Sequence, residues 1–196
     1  PLFAIPNTIG NPDLKPETIH DLTLSGSYKW LQFMISYQRE KDAILYITEQ
    51  YEKNPAITTV THRNFNRIDN FSAFLTASPA VGSWHPQLTV GVQKQWAKIE
   101  HNGETLQMDT PLFFCTLNNG IQLPYHWTLS TDINFQSKGD YQNIYMYQNV
   151  FMMNATLTKS FLNEHLSIHL QGIDLTHGRK DGNRIYNKHM NMDVAN

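Results

Sequence analysis

Apolar and polar side chains alternate along much of this chain, in segments of about ten residues. In the clearest segment, Leu22 and Leu24 alternate with Thr23 and Ser25, and the pattern continues to Trp30. Successive side chains of a β-strand point to opposite faces of the sheet. The alternation therefore predicts strands in a sheet that has one apolar face and one polar face.

Segments of this kind follow one another along the chain, separated by Gly, Pro and Asn residues that favour turns. They cover residues 18–30, 31–44, 62–78, a stretch marked by Leu88, Val90, Val92 and Trp96, and residues 110–123, 127–136, 150–161 and 165–175. We predict an all-β fold, an antiparallel up-and-down meander of about eight strands.

The whole chain, residues 1–196, is predicted to be one β-sheet unit. Residues 1–17 are expected to form a proline-rich loop, residues 18–175 the meander, and residues 176–196 a polar loop whose return strand is missing. Because the sequence starts at Pro1 without a signal peptide and stops at Asn196 in a polar stretch, we expect a fragment of a longer protein.

The predicted connections fall into two groups that alternate along the chain. Connections after the first, third, fifth and seventh strands are short, whereas residues 48–61, 138–148 and 176–196 are long and polar. The pair Asn102 and Gly103 after the fourth strand is a strong hairpin signal. Short turns at one rim and longer loops at the other are typical of an outer-membrane barrel. A soluble, secreted, lipocalin-like ligand-binding barrel is the alternative.

Aromatic residues next to the short turns favour the membrane alternative. Membrane barrels place Trp and Tyr at both interfaces, where an amphipathic ring is half in water. The aromatic residues at the predicted short-turn ends are Tyr28, Trp30, Trp84, Tyr125 and Trp127.

Composition narrows the classes of function. A net charge of −2 and a pI near 6.5 give no basic surface, so we expect no nucleic-acid partner. Cys115 is the single cysteine, which excludes an intrachain disulfide. No apolar run reaches the ~18 residues of a transmembrane helix, but a transmembrane strand needs only about 9–11 alternating residues.

Catalytic and metal-binding patterns are not found in the sequence. His165 and His169 lie four positions apart on one predicted strand, roughly 13 Å at about 3.3 Å per residue, which is too far to share one metal ion. Asp132 is expected to be an ordinary polar-face residue, and Cys115 an inert packing residue. We therefore predict no enzyme activity, no metal and no cofactor; a β-fold carbohydrate-active enzyme using Asp132 or Glu164 is a weaker alternative.

Three tyrosines in the predicted loop 138–148 are the best candidates for ligand contact. Tyr141, Tyr145 and Tyr147 are flanked by Gln and Asn, a combination that suits sugars, peptides or aromatic ligands. The alternative is that these rings belong to the second aromatic girdle of a membrane barrel.

A proline-containing motif precedes the first strand. Pro12 and Pro16 fix the backbone and remove two N–H donors, so that strand pairing can start at Glu17 or Thr18. A rigid lead-in to the strand is therefore the preferred role of the motif over ligand contact. Its residues are Asn11, Pro12, Leu14, Lys15, Pro16 and Glu17.

This motif resembles the Asn-Pro-x-Leu-Lys-Pro-Glu segment of TonB-dependent outer-membrane receptors. The run from Leu157 to Leu162, followed by Leu166 to Leu175, is similar to the penultimate hairpin in the Bacteroidetes-type branch of these barrels. The resemblance implies part of the barrel of a receptor for nutrient uptake, in the outer membrane of a Gram-negative bacterium.

The same resemblance implies the partners of the chain. They are outer-membrane lipid, the rest of the barrel, a plug domain and a small nutrient ligand, whereas TonB would be contacted only through parts absent from this sequence. Alone, a sheet with two unpaired edges and an uncovered apolar face is expected to close into a small barrel or to exchange strands in an oligomer.

Overall fold

A computed structural model describes residues 7–8, 10–51, 54–101, 103–162, 165–178, 182–186 and 191–195. Strands dominate, and Pro124–His126 forms one short 3-10 turn. Within these ranges, no helix has the length and apolar character needed to cross a membrane.

The larger of two sheets is an antiparallel meander. Its strands are β1 Asn7–Thr8, β2 Thr18–Tyr28, β3 Leu31–Tyr51, β4 Asn54–Ala77, β5 Trp84–His101, β6 Glu104–Met108, β7 Leu112–Leu123, β8 Trp127–Gln136, β11 Val150–Phe161 and β12 Leu166–Gly172. They follow the order β12-β11-β8-β7-β5-β4-β3-β2, with β1 pairing on β4 and β6 pairing on β5.

The eight strands on this path confirm the predicted meander. β2 begins at Thr18, directly after the proline motif, and only Lys29 and Trp30 separate it from β3. β2 and β12 are the outer strands of the path and do not pair with each other in the described part of the chain. Within the described residues, the sheet is therefore not closed into the small barrel that was one of the two outcomes expected for the chain alone.

Cross-strand pairs separate the two faces of the sheet, as the alternation predicts. On the apolar face, the directly opposed pairs include Leu24–Ile35, Leu75–Val90, Leu117–Ile133 and Leu157–Leu170. On the polar face, they include Thr23–Ser36, Thr76–Thr89, Asn118–Asp132 and Thr158–His169. Leu22 and Leu24 keep 75% and 62% of their surface exposed, so the apolar face is uncovered in the single chain.

The connections define two rims. The short-turn rim comprises the β2–β3, β4–β5, β7–β8 and β11–β12 connections, and the long-loop rim comprises those at the opposite strand ends. The aromatic residues predicted for the short-turn rim are all exposed there; they are Tyr28, Trp30, Trp84, Tyr125 and Trp127.

Two segments predicted as loops are instead paired strands. β3 and β4 remain paired through much of residues 48–61, with Thr48 opposite Val60, so the predicted polar connection is wrong there. Within the N-terminal loop, Asn7–Thr8 pairs in parallel with β4. The charged residues and Pro55 suggested a loop, but Ile57, Thr58, Thr59 and Val60 carry β-propensity that the prediction overlooked.

A second, four-stranded sheet lies in segments that were also predicted as loops. Its order is β14-β13-β10-β9, with bounds β9 Gly139–Tyr141, β10 Ile144–Met146, β13 Gly182–Tyr186 and β14 Asn191–Ala195. The tyrosine-rich segment 138–148 is thus a small hairpin, and the tail 176–196 contains two strands rather than only a polar loop. Strands of three to five residues are too short to show a period-two pattern.

The buried core lies at the long-loop rim. Its central residues come from the ends of β3, β4, β5 and β6, and Tyr145 of β10 and Tyr186 of β13 pack against them. The second sheet therefore covers this end of the first. The buried residues of this core cluster are Ala43, Leu45, Ile68, Ala97, Ile99 and Met108.

The direction of the β3 side chains changes at Asp42, where the backbone φ is 55°. A positive φ is uncommon for a residue other than glycine and interrupts regular strand geometry. Phe33 and Ile35 are exposed before this point, whereas Ala43 and Leu45, in the same odd-numbered series, are buried after it. Asp42 thus marks the boundary between the two-faced meander and the packed long-loop rim.

Candidate functional site

The polar face of the meander is lined by side chains that hydrogen-bond to one another across the strands. Thr76 Oγ1 lies 2.9 Å from Thr89 Oγ1, and Thr116 Oγ1 donates to Asn134 Oδ1 at 3.1 Å. Such neutral hydroxyl and amide groups keep a surface wettable without a strong field. The face is suited to lining a water-filled space.

One aromatic row crosses this polar face. Phe74 pairs with Gly91, and Gly91 pairs with Phe114 on the next strand. The two rings lie 6.3 Å apart between centroids, above the glycine. A Cβ on Gly91 would lie 2.2 Å from Phe74 Cδ1, so the close approach of the ring requires glycine.

Polar contacts fasten the second sheet to the first. Gln95 Nε2 donates to Gln142 O at 2.8 Å, and Gln142 N donates back to Gln95 Oε1 at 2.6 Å. The buried Asn143 Nδ2 donates to Tyr46 O and to Tyr186 O, at 3.1 and 3.2 Å. The segment 138–148 is therefore held at the long-loop rim by several specific bonds.

The three candidate ligand-binding tyrosines do not form one cluster. Tyr141 is opposite Ile144 in the β9–β10 pair, and Tyr145 is opposite Asp140, so Tyr141 and Tyr145 point to opposite faces. Tyr145 packs against the core, whereas Tyr141 is 41% exposed. Tyr147 follows β10 and donates its backbone N–H to Gly182 O. Of the three side chains, Tyr141 is the most accessible to a ligand.

The proline motif is bonded to β3 and β4. Asn11 Nδ2 donates to His62 O at 2.9 Å, and Asn11 Oδ1 accepts from Asp13 N. Asn64 accepts from Lys15 N at 2.8 Å and donates to Lys15 O at 2.9 Å.

Glu17 completes this attachment, because its Oε2 accepts from Ile44 N at 2.8 Å. Leu14 is half-buried, and Pro12 and Pro16 are exposed. The arrangement satisfies backbone groups just beyond the end of the β2–β3 pairing.

The residues weighed for catalysis or metal binding are dispersed. Asp132 is exposed on the polar face, and Glu164 lies outside the described residues. His169 Nδ1 lies 2.9 Å from Thr158 Oγ1, while His165 precedes β12. Among the residues that the structure describes, no three His, Cys, Asp or Glu side chains are grouped closely enough to hold a metal ion.

Cation–aromatic pairs bound the apolar face at both ends. Near the short-turn rim, Lys29 Nζ lies 5.3 Å from the Tyr28 ring centroid, and Lys159 Nζ lies 5.3 Å from that of Trp127. At the other end, the pairs are Arg39 with Tyr37 at 5.9 Å and Lys94 with Trp96 at 5.3 Å. An apolar band between two amphipathic belts is typical of a transmembrane β-barrel.

A comparison with protein families agrees with this geometry. The model of the outer membrane protein beta-barrel family matches residues 7–196. The chain belongs to this family. Neither curated proteins nor solved structures gave a match.

Membership of the outer membrane protein beta-barrel family identifies an outer-membrane protein. The exposed apolar face agrees with it, because a lipocalin-like barrel would require that face to be buried around a ligand. The sequence predicts the two faces and the short-turn aromatic residues. It does not predict the ion pairs of Asp69 with Arg39 and Arg67, at 2.9 and 2.5 Å, at the long-loop end of the apolar face. No local pattern in the sequence indicates these contacts, because the register of β3 on β4 places Arg39 opposite Asp69.

Proposed function

We propose that this chain is part of the barrel of a TonB-dependent receptor that takes up a nutrient across the outer membrane of a Gram-negative bacterium. In this arrangement the apolar face contacts lipid, the polar face lines the lumen, and the long-loop rim lies at the cell surface. The observation that carries the proposal is the two-faced meander, with an exposed apolar face and a hydrogen-bonded polar face. The resemblance of Asn11–Glu17 to the receptor motif adds the TonB-dependent class.

The open edges of the sheet support a larger barrel. Backbone groups at a strand edge have no water partners inside a bilayer, so a membrane-spanning sheet must close. β2 and β12 do not pair with each other in the described chain. The rest of the barrel, with a plug domain in its lumen, would supply the missing partners of both strands.

The proposed role is binding and passage rather than catalysis. Tyr141 would contact the nutrient at the cell surface because its ring is exposed, while Tyr145 would hold the surrounding sheet in place. Tyr147 would add contact area beside β10. No cofactor, metal or nucleic acid is required by this role.

The experiment that tests this function uses the full-length protein extracted from the outer membrane. Its binding to the purified periplasmic domain of TonB is measured by biolayer interferometry, with a porin of the same membrane as the control. We expect saturable binding by the full-length protein and none by the porin. An outer-membrane protein that folds, as shown by heat-modifiable gel mobility, but does not bind TonB would contradict the TonB-dependent class.

A further inference from the structure

Three neighbouring strands carry a dense group of basic and aromatic side chains at the long-loop end of the apolar face. Paired residues in a sheet share a face, so the register places them in rows across β3, β4 and β5. The rows are Tyr37–Phe71–Lys94, Arg39–Asp69–Trp96 and Lys41–Arg67, and Lys98 follows Trp96 by two positions on the same face. We call these nine residues the basic–aromatic patch.

The level of the basic–aromatic patch corresponds to a membrane surface. From Leu31 at the short-turn rim to Arg39, β3 advances about 26 Å at roughly 3.3 Å per residue. A transmembrane strand needs about 9–11 residues. The patch thus begins where the apolar band ends, at the rim that the proposed orientation places outside the cell.

Asp69 positions the two guanidinium groups of the patch. Its Oδ1 accepts from Arg39 Nε at 2.9 Å and from Tyr37 OH at 2.7 Å, and its Oδ2 accepts from Arg67 Nε at 2.5 Å. Arg39 also donates from Nη2 to Tyr37 OH at 3.1 Å. Asp69 is buried, but the Arg39 and Arg67 side chains keep 46% and 53% of their surface exposed. Fixed guanidiniums with accessible N–H groups suit phosphate recognition.

The charges of the patch do not cancel. Asp69 is its single acidic residue, against five basic residues, Arg39, Lys41, Arg67, Lys94 and Lys98. Lys98 is exposed and has no side-chain partner in the described part of the chain. Met108 pairs with Ala97, so Asp109, the next residue, lies level with Trp96, whereas Glu100 lies farther from the apolar band. With Asp109 counted beside Asp69, five basic residues still face two carboxylates, so positive charge predominates.

A cleft is present within the patch. It has a volume of about 320 Å³, and its lining includes Arg67, Asp69, Trp96, Lys98 and Gln107. The cleft combines an aromatic ring, two cations and an amide with the carboxylate of Asp69, which accepts from Tyr37, Arg39 and Arg67. Its surface is continuous with the exposed apolar face. This combination fits a headgroup whose acyl chains lie along the apolar face below.

We propose that the basic–aromatic patch binds the phosphate group of an anionic lipid in the outer leaflet. The ring of Trp96 lies at the interface, Arg67 and Lys98 contact the phosphate, and the acyl chains follow the apolar face. The proposal rests on the membrane orientation of the proposed function but not on TonB dependence or on the nutrient.

The test uses the full-length protein in detergent, titrated with bis-phosphorylated lipid A and with the same lipid after removal of both phosphates. Bound lipid is counted by native mass spectrometry. We expect the phosphorylated lipid to bind more tightly than the dephosphorylated lipid. The double variant Arg67→Gln, Lys98→Gln should bind the phosphorylated lipid about tenfold more weakly, because each basic residue near a membrane surface contributes to anionic-lipid affinity.

The matched control is the double variant Lys29→Gln, Lys138→Gln, which removes the same number of positive charges outside the patch. It should change the affinity for the phosphorylated lipid less than twofold. Lys98→Gln alone is the second variant, since its side chain supports no described contact. Heat-modifiable mobility verifies folding of each variant, and TonB binding tests the proposed function separately.

Equal binding of the two lipids, or equal weakening by patch and control variants, would overturn the proposal. Inorganic phosphate at millimolar concentration is the third probe. If it saturates the site and displaces the lipid, the site recognises free phosphate rather than a lipid, which also overturns the proposal.

Discussion

At the scale of single residues, Gly91 shows why one position of an otherwise regular strand is constrained. Phe74 and Phe114 flank it on the polar face, and an added Cβ would lie within 2.5 Å of two Phe74 ring carbons. The sequence placed Gly91 in the fourth strand, but the identity of its neighbours depends on register across strands that are distant in sequence.

Gly91→Ala is therefore expected to destabilise the protein by about 1–3 kcal/mol through overpacking. The measurement is the urea midpoint of refolding into lipid vesicles, with Gly120→Ala as the control, because its Cβ would meet only His85 O at 3.9 Å. Equal midpoints for the two variants would show that Phe74 moves aside without cost.

Asn64 provides a second test at this scale. Its amide accepts from Lys15 N and donates to Lys15 O and Asp42 O, so Asn64→Ala leaves three backbone groups without this partner. We expect the free energy of unfolding to fall by about 1–3 kcal/mol in the same refolding assay. Asn66→Ala, two positions along β4 and exposed, is the matched control. If both variants lose the same stability, attachment of the proline motif does not contribute to it.

At the scale of elements, the meander strands could be predicted because period-two alternation is a local signal. The extension of β3 and β4 was missed because Pro55 and the charges of residues 48–61 suggested a loop, while pairing between the two strands decided the structure. β9 and β10 were missed for a different reason. They are stabilised by contacts such as Gln95 with Gln142, which lie 47 residues apart and leave no local pattern.

The hairpin of β9 and β10 yields a prediction about exposure at the cell surface. Asn143→Ala removes the buried amide that bonds to Tyr46 O and Tyr186 O, and should loosen residues 138–148. Proteinase K added to intact cells is expected to cleave this segment several-fold faster than in the parent protein. Tyr141→Ala, an exposed position in the same hairpin, should leave cleavage unchanged. Unchanged cleavage of the Asn143 variant would mean that other contacts, such as those between Gln95 and Gln142, are enough to hold the hairpin in place.

At the scale of the whole molecule, the single chain leaves a large apolar face uncovered. Leu22, Leu170 and Ile173 are each more than 70% exposed, and β2 and β12 are the outer strands of the sheet among the residues that the structure describes. Isolated in detergent, the 196-residue chain is expected to form oligomers whose size increases with concentration. Light scattering coupled to size-exclusion chromatography measures this. A monomer at all concentrations would indicate that the chain closes on itself.

The two-faced character of the whole sheet could be predicted from sequence, whereas the basic–aromatic patch could not. Alternation is a property of each strand alone. The patch needs the relative register of three strands, which places Asp69 between Arg39 and Trp96. The sequence contains these residues but not the pairing that brings them together.

We propose that the apolar face of the meander contacts lipid. Spin labels at single cysteines, introduced in a Cys115→Ser background of the full-length protein in nanodiscs, test it directly. Labels at Leu24, Ile35, Val90 and Ile133 should be more accessible to oxygen than to a water-soluble nickel reagent, and labels at Thr23, Ser36, Thr89 and Asn134 should show the reverse. Equal accessibility on both faces, or nickel access to the first set, would show that the apolar face does not contact lipid.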